Sequence, residues 1–356
     1  MIVSRAPVRL SLGGGGTDLP AYAEAHGGFV LSAAIDKYVY VVANPRFHPS
    51  IRLSYSKTET VDAVEQVEHR LFREGLRAAG IDRGIELVSL ADVPASCGLG
   101  SSGAFAVALV QALRAWRDAP CDPLGLAEEA CRLEDGAHGG PTGRQDPYAS
   151  ACGGLVCLQV GTAGSVRVEP LHIPEPALRT LEASLHLFYT GVERSAAEVL
   201  DDQQERVRGG GAPLSSMHRI KQIGLETRSA LELGEVDSLG EAFHAHWELK
   251  RSTSEQISNR AFDEHYAAAR AAGAVGGKLV GAGGGGFFLF YARERRDELR
   301  AAMVRRGLRP MPFHFEPGGA RIVADLRRRA SPPDPLSGFA ERGNPNLGPR
   351  GDCHQR

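Results

Sequence analysis

Glycine constrains this chain more than any other residue type. Its 43 glycines gather in clusters at 13–16, 98–103, 139–143, 276–277 and 281–286. Glycine takes positive φ freely and lets a backbone approach a ligand or another backbone closely. A linker would mix glycine with polar residues, whereas these clusters interrupt apolar segments. Such a pattern predicts several tight loops converging on one large anionic ligand.

The central cluster reads Pro94-Ala-Ser-Cys-Gly-Leu-Gly-Ser-Ser-Gly103. A strand is expected before it, at 85–90, and an apolar helix after it, at 104–116. The first turn of a helix has unpaired N–H groups and the positive end of the helix dipole, so it binds phosphate. Pro94, Gly98, Leu99, Gly100, Ser101, Ser102 and Gly103 are therefore candidate contacts to nucleotide phosphates. The hydroxyls of Ser101 and Ser102 suit a phosphate oxygen or a magnesium ion. A strand–helix turn with serine caps is the plainer alternative. The loop also fits Gly98-x-Gly100-x-x-Gly103, the dinucleotide fingerprint. Against that reading, the fingerprint would lie late, after segments that do not read as βαβ. No Walker A motif occurs.

Two other loops share this character. Arg9-Leu-Ser-Leu-Gly-Gly-Gly-Gly-Thr-Asp18 runs a strand into four glycines. Asp18 there can accept hydrogen bonds from sugar hydroxyls or cap a helix. The stretch 277–289 holds more glycine than a hairpin needs, which predicts close packing against the nucleotide or the 94–103 loop. Phosphoryl transfer needs positioning, charge neutralisation and a partner for the attacking hydroxyl. Glu134 and Asp146, on either side of the glycine-rich segment 136–143, form a carboxylate pair for those tasks. On spacing alone, Glu134 reads more readily as a helix-end surface charge and Asp146 as a turn residue before Pro147.

Composition narrows the classes. A formal net charge of −2 gives no electrostatic reason to expect nucleic acid or an anionic membrane as partner. The six cysteines form no Cys-x-x-Cys, and no secretory signal is visible, which predicts reduced thiols and a cytoplasmic location. Apolar stretches fall short of the roughly 20 residues that span a bilayer. Strands and helices mix without regular βαβ alternation, which predicts an α+β fold. Strands are expected at 3–12, 28–44, 51–55, 155–160, 166–171, 185–190, 278–282, 287–291, 309–315 and 320–325. Helices are expected at 61–79, 124–133 and 294–306, with a long helical stretch over 194–272 broken near 209–213. Domains are expected at 1–180 and 181–328, followed by a disordered Pro/Gly/Arg-rich tail at 329–356.

With these loops and carboxylates in this order, the chain resembles the GHMP kinase superfamily (galacto-, homoserine, mevalonate and phosphomevalonate kinases). The likeness runs from about Arg5 to Asp325. It includes 5–18, Leu53-Ser-Tyr-Ser-Lys-Thr-Glu59, 91–102, Gly143-Arg-Gln-Asp146, Tyr189-Thr-Gly191 and 276–286. Within the superfamily it is most similar to kinases of heptose 7-phosphates. The resemblance implies an N-terminal domain like ribosomal protein S5 domain 2, a ferredoxin-like C-terminal domain and a site between them. It implies ATP and Mg²⁺ as cofactors, Ser102 and Glu134 as magnesium ligands, and Asp146 facing the acceptor hydroxyl with Arg9 beside it. It implies a sugar phosphate held by Gly14, Gly15, Thr17, Asp18, Arg144, Gly283 and Gly284. Lys37, Arg144 and Lys278 are candidates for the substrate phosphate. The implied reaction puts the ATP γ-phosphate on the anomeric hydroxyl, toward nucleotide-activated heptose. Gly103 and Pro147 depart from the usual pattern, where relatives carry serine or alanine and often glutamine. Alternatives are a fucose or other hexose kinase, a non-catalytic ATP and sugar sensor, and a dinucleotide oxidoreductase. Oligomeric state is left open, with a homodimer allowed.

Overall fold

The computed structural model describes residues 1–140, 142–193 and 196–327, with the side chains of Ala196 and Ala197 set aside. The tail expected at 329–356 lies outside the described residues. The strands are β1 (Ile2–Gly13), β2 (Gly28–Pro45), β3 (Ile51–Ser54), β4 (Thr58–Val61), β5 (Ile85–Ala91), β6 (Leu155–Val160), β7 (Val166–Pro170), β8 (Leu185–Tyr189), β9 (Gly276–Leu279), β10 (Phe287–Tyr291), β11 (Arg309–Met311) and β12 (Arg321–Asp325). The helices are α1 (Pro20–His26), α2 (Arg70–Ala79), α3 (Ser101–Trp116), α4 (Pro123–His138), α5 (Gln145–Cys152), α6 (Glu175–Ser184), α7 (Ala196–Arg208), α8 (Gly211–Glu232), α9 (Ser238–Thr253), α10 (Arg260–Ala271) and α11 (Arg296–Arg305).

Two sheets organise these elements. The first runs β12-β1-β2-β5-β3-β4, with β6 and β7 extending from β2; the second is antiparallel, β11-β8-β10-β9. Among the described residues only β3 and β5 pair in parallel, and the α+β expectation holds. From Ala6 onward every residue of β1 is buried, as expected of a strand covered on both faces. Helices α3 and α5 pack on β1 and β2, and α4 packs on both helices. Strand β10 is buried throughout, and its side chains alternate between two cores. Phe287, Leu289 and Tyr291 face the core shared with the first sheet, while Phe288 and Phe290 join Trp247, Phe262 and Tyr266 in a second core.

The boundary expected at 180 falls inside α6. The last strand, β12, crosses back to pair with β1, with Ile2 opposite Asp325. The C-terminal half is thus stitched into the N-terminal sheet.

The expected helix at 61–79 is shorter. It begins at Arg70, after a 3-10 turn at Val64–Gln66. The Glu59 carboxylate accepts the N–H groups of Glu68 at 2.7 Å and His69 at 3.3 Å, pinning 62–69 in a non-helical path. Val64 and Val67 are buried from that turn, which imitates helical spacing. Gly80 ends α2 in a left-handed conformation, its N–H bonded to the carbonyls of Leu76 and Arg77. The helical stretch 194–272 resolves into four helices, and α1, α5 and α6 were not anticipated.

Candidate active site

The 94–103 loop enters α3 through Gly100, held at φ 72°. No side chain caps this N-terminus, whereas Asp122 caps α4 by accepting from the amides of Leu124 and Gly125. The first turn of α3 therefore keeps its anion-binding character.

The loops converge, but mainly on one another. A Cβ on Gly98 would lie 2.3 Å from the Val280 carbonyl oxygen, and one on Gly286 would lie 2.1 Å from that of Cys97. The 281–286 loop thus seals the phosphate-loop backbone from behind. Gly283 packs against Ile257, and the Gly284 amide donates to the Ile257 carbonyl at 2.9 Å. A Cβ on Gly14 would strike the Phe29 carbonyl. The fully buried Thr17 hydroxyl bonds the carbonyls of Gly14 and Phe29 and accepts the Phe29 amide. These four residues, expected to touch the sugar, are engaged in holding loops together. Gly15 lies over Ser11, and the Pro94, Leu99 and Ser101 positions remain along the phosphate loop and helix start.

Arg9, Asp146, Asp18 and Gln145 come together at the loop seam. Arg9 is 4% exposed. Its Nε donates to Asp146 Oδ1 at 2.7 Å, its Nη2 lies 2.6 Å from the same oxygen as an ion pair, and its Nη1 donates to the Gly98 carbonyl at 2.6 Å. Asp146, on the first turn of α5, keeps a quarter of its side chain exposed. Both Arg9 nitrogens lie on Oδ1, so Oδ2 is left for another partner. Asp18 Oδ2 accepts the Gln145 amide at 3.0 Å. Burial pushes the Asp18 carboxyl above the usual carboxylate range, against the pull of that amide, with nearby Asp146 adding to the rise.

Glu134, from α4, accepts the Ser102 hydroxyl at 2.8 Å. Burial raises its carboxyl to about 7, and Asp146 pushes the same way. A hydroxyl and a carboxylate are hard oxygen ligands of the kind Mg²⁺ takes when phosphates and water complete its shell. No cluster of three or more metal-ligating His, Cys, Asp or Glu occurs among the described residues, so such an ion would depend on phosphate oxygens. The residues present fit Mg²⁺ on those terms.

This placement has a measurable consequence. Unfolded, a glutamate loses its proton near 4.5, while Glu134 holds it to about 7 in the fold. Between those values the folded state binds more protons, so stability falls as pH rises, by roughly 3 kcal/mol in total. Glu134→Gln removes that penalty. The ligand-free variant should melt above the wild type at pH 8, and the gap should close toward pH 4.5. A constant gap across this range would refute the assignment.

The candidates for a substrate phosphate separate. Arg144 pairs with Asp135 at 2.9 Å, while Lys37 pairs with Asp36 at 2.7 Å. Lys278 is buried beside His246 and over the Phe243 ring. A residue that the sequence reading passed over, Lys250 of α9, reaches the seam and donates to the Gly281 carbonyl. Its signal was its phase: Leu239, Phe243, His246, Trp247, Lys250 and Thr253 form the buried stripe of α9. A cleft of about 520 Å³ between α2, α3 and α4, lined by Glu74, Leu113 and Arg132, holds none of these groups.

Known proteins are similar to this chain in fold and in sequence. Residues 60–154 match the GHMP kinases N terminal domain and 227–309 match the GHMP kinases C terminal domain. The chain belongs to the GHMP kinases, phosphotransferases with an alcohol group as acceptor. It is 29% identical over 305 residues to the D-glycero-alpha-D-manno-heptose 7-phosphate kinase of Campylobacter jejuni, covering 82% of this chain and 89% of the relative. It is 27% identical to the galactokinase of Pyrococcus furiosus, over 79% of this chain and 86% of that one. The crystal structure of a D-glycero-D-manno-heptose 1-phosphate kinase from Bacteroides thetaiotaomicron superposes with a TM-score of 0.76 at 26% identity, covering 91% of this chain and 99% of the other. These findings make the chain an ATP-using sugar kinase of the GHMP family. No helix among the described residues is long and apolar enough to cross a membrane.

Proposed function

We propose that this kinase transfers the γ-phosphate of ATP to the anomeric hydroxyl of a heptose 7-phosphate, giving ADP and a heptose 1,7-bisphosphate. The carrying observation is the Arg9–Asp146–Asp18 cluster beside the phosphate loop, in a chain that aligns along most of its length with a heptose 7-phosphate kinase. The acceptor oxygen attacks the γ-phosphorus in line, the bond to the β-γ bridging oxygen breaks, and ADP leaves. Gly98 to Gly103 and the start of α3 bind the triphosphate. Ser102 and Glu134 would hold Mg²⁺, which neutralises phosphate charge when bound. Arg9 fixes one oxygen of Asp146, and the other accepts the acceptor's hydroxyl proton or its hydrogen bond. Asp18, presented by the glycine loop, takes sugar hydroxyls.

The test is ADP release across a panel of acceptors with ATP and Mg²⁺. The panel holds heptose 7-phosphate, heptose 1-phosphate, the free heptose, galactose, fucose and mevalonate. The highest kcat/KM is expected with heptose 7-phosphate. A preference for heptose 1-phosphate or for a free hexose would replace the assigned acceptor. ADP release with any of them excludes a non-catalytic sensor.

A further inference from the structure

Lys250 poses an electrostatic problem that the protein does not solve alone. Its side chain is 7% exposed, and its ammonium donates to one neighbour, the Gly281 carbonyl. Among the described residues no carboxylate lies within ion-pair distance of it. Asp18 is the acidic group that acts on it from further off, and Arg9 adds a second positive charge. An ammonium taken from water without a counter-charge is costly, and proteins pair such groups. Lys278 sits differently, beside His246 and over the Phe243 ring, where burial, with Lys250 adding to it, pushes its ammonium well below the ordinary range. Lys250 is lowered only to about 8, first by burial and then by Arg9, so it stays largely charged at neutral pH.

Other buried polar groups are unsatisfied as well, two of them on the elements that carry Arg9 and Asp146. Ser11 Oγ and Gln145 Oε1 are buried without a hydrogen-bond partner. Ser11 lies two residues beyond Arg9 in β1, on the same face of the strand, beneath Gly15. Gln145 holds Asp18 through its amide and its Nε2. Unpaired polar groups of this kind, one on the residue that holds Asp18 and one under the adjoining glycine loop, are what a hydroxyl-rich, negatively charged ligand completes. The ATP phosphates have their own site at the start of α3.

We propose that Lys250 binds the phosphate that the acceptor already carries, with Ser11 and Gln145 taking sugar hydroxyls beside Asp18. This rests on the acceptor being a sugar phosphate. A cation from the C-terminal half, tied to the 281–286 loop, then selects phosphorylated over plain sugars.

Lys250→Met in the full chain tests it, using ATP with Mg²⁺ and either heptose 7-phosphate or the unphosphorylated heptose. The KM for heptose 7-phosphate is expected to rise about tenfold or more, the loss of a charge-assisted hydrogen bond. The KM for ATP and kcat/KM for the unphosphorylated heptose should stay at wild-type values. Melting temperature should hold or rise, because methionine fills the site without a charge, whereas a purely structural lysine would lower it. A rise in the KM for ATP instead, or an equal loss with both acceptors, would overturn the proposal. If Lys250→Met does not fold, acylation of Lys250 in the wild type, read by mass spectrometry, decides. Protection by heptose 7-phosphate but not by heptose or an ATP analogue is expected, and equal protection by all three refutes it. A wild type active only on unphosphorylated sugars would overturn the proposed acceptor. Lys250 would then be judged by inorganic phosphate, which must bind the wild type more tightly than Lys250→Met.

Discussion

Asp146→Asn should lower turnover by about 10²–10⁴-fold while leaving the KM for ATP near its wild-type value. In the wild type, Oδ1 accepts from Arg9 Nε and ion-pairs with its Nη2, and Oδ2 is the oxygen left to face an incoming hydroxyl. Asparagine keeps the volume but offers one oxygen in place of two. Arg9, almost fully buried and acting only as a donor, must claim that oxygen. The amide nitrogen is then turned to where the acceptor hydroxyl needs an acceptor, and it brings a donor instead. Arg9 also loses its counter-charge. The stability cost is on the order of 1–3 kcal/mol, because Asp146 is partly hydrated. Single-turnover rates and a thermal melt separate the two losses. Near-full turnover in a folded Asp146→Asn or Asp146→Ala protein would remove Asp146 from the reaction.

The loops of this site were legible because dense glycine between apolar segments is unusual, whereas Glu134 and Asp146 were singled out by the family resemblance. The strand–loop–helix at 85–116 needed only an apolar strand, a glycine run and an apolar helix, and it stands as read. Pairing Ser102 with Glu134 came from family likeness, since nothing in a spacing of 32 residues sets α4 against the start of α3. Two kinds of information were out of reach. Short elements such as α5, with Pro147 in its first turn, are decided by tertiary packing rather than by local pattern. The partners of some glycines were also hidden. The packing of Gly281 and Gly286 on the 94–103 loop was one of two expected partners, the nucleotide being the other, but the approach of Gly14 to Phe29 and of Gly28 to Thr17 carried no sequence signal. A glycine run shows that a backbone must come close; only for 277–289 did it also suggest what that backbone comes close to.

Gly103 shows how that distinction changes an expectation. Its φ is not in the left-handed region, and it sits inside the first turn of α3. Helix propensity alone therefore makes Gly103→Ala stabilising by about 1 kcal/mol. Packing points the other way. A Cβ there would lie 2.5 Å from Asp146 Cβ and 3.0 Å from the Pro147 nitrogen. Neither neighbour is the far end of a flexible chain; both belong to the first turn of α5, which proline stiffens. The added methyl must push α5 outward and Asp146 with it, drawing its carboxylate away from Arg9. Strain of about 1–3 kcal/mol offsets the propensity gain, so the melting temperature should move little or fall. Turnover should fall about 10²-fold, the scale of an ångström of misplacement at a reacting group. Gly136→Ala on α4 is the control, since the nearest atom to its Cβ is the Glu74 side chain at 4.0 Å, and it should gain stability with activity intact. If Gly103→Ala behaved like Gly136→Ala in both measurements, the contact between α3 and the first turn of α5 would not be what positions Asp146. On the contacts seen, the two departures from the family pattern, Gly103 and Pro147, are one feature: a glycine that makes room for the turn carrying the carboxylate.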